Sequence, residues 1–186
     1  AYAYAENYLY TKEAILDYLR IIRDTGLINL NRWFEDEAPR ESLRLFVMVM
    51  DALHSFGSEA PGKHIIVGRQ AGWGMMLIKK TPFLPAEEQK VLDYFSKYEV
   101  ETIFTPSRVV PPERRNLFEQ YAQAFAEGRG DRFISDYWAD ISVVRDDSPF
   151  FYKYYRFSLD FARLVALPAS GTVVFYAQAV IVFQTL

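Results

Sequence analysis

Between Arg40 and Phe56 the chain carries Leu43, Leu45, Phe46, Val47, Met48, Val49, Met50 and Leu53, so a helix opening after Pro39 and Arg40 is apolar on nearly every side. Such a helix cannot rest on a surface by one stripe; it has to be enclosed by other elements. The rest of the chain must therefore supply layers around it. With 51% apolar residues in 186, there is enough material for one domain with a real core.

The flanking segments supply those layers. Thr11 is placed as an N-cap, and Ile15, Leu16, Leu19 and Ile22 recur at helical spacing until Gly26 offers a stop. Leu27–Trp33 follows at once as a short, mostly apolar strand. His64–Gly68 and Met75–Lys79 read as two strands joined through the Gly72–Gly74 turn region, close enough for an antiparallel hairpin. Pro85, with Glu87 and Glu88 in the first turn, starts a helix through Tyr98, and Glu101–Thr105 is a further β-like run. Leu117, Tyr121, Ala124 and Phe125 mark a fourth helix ending at Gly128, and residues from Asp131 to Phe157 are predicted as aromatic-rich loop. The fold class expected is α/β.

Several chemistries are excluded by composition. There are 21 basic against 24 acidic side chains, net −3, with no Lys/Arg block, so nucleic acid is not an expected partner. Cysteine is absent, which removes disulfides, thiolate metal sites and a thiol nucleophile. The two histidines, His54 and His64, lack a second histidine at ligand spacing and are expected to be structural; no metal is expected. No G-x-G-x-x-G, P-loop, G-x-S-x-G or H-E-x-x-H occurs, and the glycines of Gly68–Gly74 are assigned to the turn.

The two ends of the chain raise expectations of their own. It starts at Ala1 without an initiator Met, which suggests an upstream segment. Leu164–Leu186 has no charged residue and, at ~1.5 Å per residue, would cross a bilayer core of roughly 30 Å. Pro168, Ser170, Gly171, Thr172, Gln178 and Gln184 keep a buried strand or helix pair as the alternative. The division expected is an α/β body over 1–157 and an apolar tail over 158–186, the candidate start of a transmembrane region.

Three stretches carry a resemblance. Ala5-Glu6-Asn7-Tyr8-Leu9-Tyr10-Thr11-Lys12-Glu13-Ala14 is similar to the acceptor-loop-to-helix stretch of the spermidine synthase-like family. Leu30-Asn31-Arg32-Trp33-Phe34, followed by Pro39-Arg40-Glu41-Ser42-Leu43-Arg44, is similar to a later part of the same family. Asp146-Asp147-Ser148-Pro149-Phe150-Phe151-Tyr152 resembles a signature of its membrane-associated bacterial members, with Ser148 in place of an Arg. The resemblance implies the C-terminal half of a Rossmann-like, class I methyltransferase-type sheet with a terminal antiparallel hairpin. It implies that the cofactor-binding strands lie in a missing N-terminal half and that further membrane helices follow. The family's cofactor is S-adenosylmethionine or its decarboxylated form, none of it bound by this segment alone, and the name-giving reaction is aminopropyl transfer to a polyamine. The place implied is the bacterial inner membrane with the α/β body on the cytoplasmic side, or else the cytoplasm. The alternative is a non-catalytic α/β interaction module of a membrane-associated complex, with the missing half or another chain as partner; a small-molecule sensor is a third.

The candidate substrate-binding residues are Glu6, Tyr8, Tyr10, Arg32 and Trp33. Arg32 and Trp33 fall at the carboxyl end of a strand, where open α/β sheets bind ligands. Glu6, Tyr8 and Tyr10, if they flank the same crevice, make an acidic and aromatic wall suited to an ammonium. The plainer readings are N-capping and packing for these three, a helix–sheet seam for Trp33, and pairing of Arg32 with Glu35 or Asp36. Glu35-Asp36-Glu37 reads as a solvated loop and Asp146–Asp147 as capping. The run Phe150 to Arg156 is read either as an interfacial anchor or as core. The catalytic residues are not indicated.

Overall fold

A computed structural model describes residues 5–35 and 38–156. The elements run α1 (Lys12–Ile21), β1 (Leu27–Trp33), α2 (Glu41–Ser55), β2 (Ile65–Gln70), β3 (Trp73–Lys79), α3 (Pro85–Lys97), β4 (Glu101–Phe104), α4 (Leu117–Ala126) and α5 (Gly130–Asp136), with 3-10 turns at Pro61–His64 and Pro112–Arg114. Thr11 caps α1 as expected, its hydroxyl accepting from the Ala14 amide at 3.1 Å. The hairpin between β2 and β3 turns on Ala71 and Gly72, both with positive φ, the tight geometry that a two-residue hairpin loop demands.

The four strands form one open sheet in the order β1-β3-β2-β4, and every neighbouring pair is antiparallel. The protein is thus a mixed α/β domain, and the neighbouring pairs are not those of a parallel, doubly wound array. Because β1 and β2 each run antiparallel to β3, they are parallel to one another, with α2 as the connection between them. β3 lies inserted between the two strands it follows.

α2 is enclosed as its composition demands. From Ser42 to Met50 every residue is buried, as are Ala52 and Leu53. Its surroundings are Ile15 and Leu19 of α1, the sheet face bearing Ile65, Val67, Met76 and Ile78, Phe118 and Tyr121 of α4, and Ile141, Val144 and Phe151 of the C-terminal segment. The opposite sheet face is covered over β2 by α3, where Ile66, Phe83, Phe95 and Val100 form a smaller cluster. The close fit there depends on Gly68, since a Cβ at that position would meet the Phe95 ring at 2.6 Å.

Two expectations are corrected, and one left open is decided in part. The stretch after Asp131 is not all loop: Gly130–Asp136 is a short helix. It was hidden because seven residues opening on glycine give too little periodicity to register. His64 closes a 3-10 turn and does not open β2. The run from Phe150 belongs in part to the core, with Phe151 at 0% and Tyr154 at 7% exposure, so these two rings serve as packing and not as an interfacial anchor. Among the described residues no helix is long and apolar enough to cross a membrane. The candidate span Leu164–Leu186 lies outside the described residues.

Candidate functional site

The site is assembled where β1 ends. Strand geometry sends successive side chains to opposite faces, so Arg32 and Trp33 diverge although they are adjacent in sequence. Arg32 turns toward the N-terminal stretch, its guanidinium carbon 3.6 Å from the centre of the Tyr10 ring and 5.8 Å from that of Phe151. Tyr10 and Phe151 are themselves 5.1 Å apart. The stacked arrangement gives Arg32 a cation–π partner, and Glu35, one of the two acids suggested by sequence, is taken by Arg40 instead. Its Nε is buried without a hydrogen-bond acceptor among the described residues.

Two of the stretches singled out by sequence meet at this point. The Asn7 amide donates to the Pro149 carbonyl at 2.7 Å, the Lys12 amide to that of Val144 at 2.8 Å, and the Asp146 amide to the Glu13 carboxylate at 3.1 Å. Asp146 and Asp147 form the tip of a tight turn closed by a bridge between Arg145 and Ser148, so they do not cap a helix. Glu6 and Tyr8 stay outside the cluster. Both are exposed, and the Tyr8 hydroxyl donates to Glu6 at 3.1 Å, a bond that raises the phenol pKa along with the carboxylate charge.

Glu35 is not part of a freely solvated loop. Its carboxylate accepts from the Arg40 amide and from Arg40 Nε, each at 2.7 Å, and so ties the end of β1 to the start of α2. Asp36 and Glu37 lie outside the described residues. Beside this pair, Glu41 opens α2 with its carboxyl pKa raised by burial, an effect that Arg32 opposes. Burial raises the pKa of the Tyr154 phenol, and its hydroxyl, like that of Ser42, is buried without a hydrogen-bond partner among the described residues. Sequence reasoning missed Glu41 and Tyr154 as site residues; the only signal was that both fall in stretches already singled out for other reasons.

Trp33 lies on the other face. It is 49% exposed and meets Trp73, 55% exposed, edge to face at 5.9 Å, so it packs no helix–sheet seam. Trp33 also borders a cleft of about 490 Å³ that runs over Phe34, Arg69 and the β2–β3 turn. Five candidate residues thus separate into three places: Tyr10 with Arg32, Glu6 with Tyr8, and Trp33 with Trp73.

The histidines have structural partners. His64 Nε2 shares a 2.9 Å hydrogen bond with the Ser58 hydroxyl, and Nδ1 lies 3.2 Å from the Lys79 carbonyl. Among the described residues no group of three or more His, Asp or Glu side chains could hold a metal ion. Comparison of the chain with protein-family models, curated proteins and solved structures finds no match in any of the three.

Proposed function

We propose that this chain is the C-terminal portion of a spermidine synthase-like transferase, moving an aminopropyl or methyl group from an S-adenosylmethionine-type donor. On this reading it is inactive until a cofactor-binding half completes the sheet along β1. The observation that carries the reading is the sheet order: β3 runs antiparallel between parallel β1 and β2, the hairpin ending expected of such a fold, and among the described residues β1 is left as an open edge. An edge of seven residues whose outward backbone groups have no strand partner among the described residues favours pairing with another strand. The packing of the Asn7–Lys12 stretch against Val144–Pro149 adds support, because two stretches that carry the resemblance form one local structure. Tyr10 and Arg32 are then the residues facing the substrate side, with a polyamine as acceptor and the α/β body at the cytoplasmic face of a bacterial inner membrane.

A second reading, a non-catalytic interaction module, draws on the exposed Trp33–Trp73 pair, since solvent-facing tryptophans beside an open edge suit a protein contact. Calorimetric titration with S-adenosylmethionine and its decarboxylated form separates the two. Binding that appears only when an upstream half is added supports the transferase. Failure to bind in both cases favours the module, and turnover by the chain alone contradicts the dependence on a second half.

A further inference from the structure

Two hollows meet at the end of the sheet where β1 and β2 finish and β4 begins. One, about 490 Å³, is walled by Trp33 and has Glu35, Glu99 and Glu101 against Arg69. The other, about 400 Å³, has Arg69, Arg108 and Arg114 against Glu101, over a lining that includes Phe34 and Phe118. Arg69 and Glu101 border both, and the Arg69 Nε donates to the Glu101 carboxylate at 2.9 Å. The fixed charge therefore changes sign across one salt bridge.

Most of the other charged groups are already engaged. Glu35 is held by Arg40, and Arg108 donates to the Thr102 carbonyl and pairs with Glu119. Glu99 on the acidic side is exposed, and Arg114 on the basic side forms no ion pair among the described residues. A ligand carrying only one sign of charge complements one hollow and is repelled by the other. We propose that the paired hollows bind a small dipolar organic ion, its ammonium or guanidinium group against Trp33 and Glu99 and its carboxylate or phosphate against Arg114. Trp33 offers an aromatic face to the cation, and the apolar side chains beneath the basic hollow take the body of the molecule. The inference does not rest on the transferase reading, because both hollows lie wholly within this chain.

The test is calorimetry on the 186-residue chain with ω-amino acids of increasing length, each set against the alkylamine and the alkanoate of the same length. A dipolar probe is expected to bind about tenfold or more tightly than either matched single-charge probe, with E99Q and R114Q each removing roughly that factor, which corresponds to ~1.4 kcal/mol. Both substitutions fall on exposed side chains, and an unchanged unfolding curve for each confirms that the fold survives. Quenching of tryptophan fluorescence by the same probe, lost in W33F, places the cation. The proposal is overturned if no probe binds saturably, if the single-charge probes bind as well as the dipolar ones, or if neither charge substitution weakens binding.

Discussion

Arg44 sits inside α2 at 4% exposure, and burial lowers its pKa, yet an arginine stays charged under such conditions. Its guanidinium is matched by donation to the carbonyls of Ser142 at 2.9 Å, Phe151 at 2.9 Å and Lys153 at 2.8 Å, with the Asp140 carboxylate at 3.5 Å. Arg44→Met keeps much of the volume but leaves those carbonyls without a donor, so we expect a loss of about 3–5 kcal/mol in a denaturant titration. Sequence showed only an Arg in an apolar helix; its partners are set by the tertiary fold. His64 makes the complementary case. Burial lowers its pKa below the usual histidine value, while the Lys79 carbonyl opposes the shift. The unfolded chain then binds the proton more readily, so His64's contribution is complete above about pH 6.5 and declines as pH falls toward the lowered folded value. A melting-temperature profile across that range should fall with acidification, and H64Q should flatten it.

At the scale of elements, local chemistry was legible wherever a cap or turn residue marked a boundary. Leu27–Trp33 matches β1 in both ends, Pro85 begins α3, and Gly72 lies in the hairpin turn, because each signal is short-range. The site was less legible because it depends on which strand face a side chain takes and on what packs there. Arg32 and Trp33 read as one feature in sequence and are two in space. The helix α4 illustrates a boundary that joins local and distant structure. The Asn116 side chain accepts from the amides of Phe118 and Glu119 and donates to the Ile103 carbonyl of β4 at 2.7 Å. Asn116→Ala should cost about 1–2 kcal/mol, measured by chemical unfolding, whereas Asn116→Asp, which keeps the cap acceptor, should lose less.

Across the whole molecule, protection should follow the sheet order. β2 is paired on both sides and β1 on one, so the outward amides of β1 lack strand partners among the described residues. Hydrogen exchange should find those amides among the fastest of the strands and the β2 and α2 amides among the slowest, and equal protection along β1 and β2 would mean that the edge is covered. That order was only partly legible in advance: the hairpin was evident, but the insertion of β3 beside β1 is a long-range choice that turn residues do not encode. The ties from Arg44 to Ser142, Phe151 and Lys153 span 98, 107 and 109 positions. During synthesis, the central helix is made long before the carbonyls that will accept hydrogen bonds from its arginine have left the ribosome, so the finished packing must wait for the segment through Lys153 to emerge. Until then the Arg44 guanidinium must remain hydrated, because burying it without those acceptors is costly.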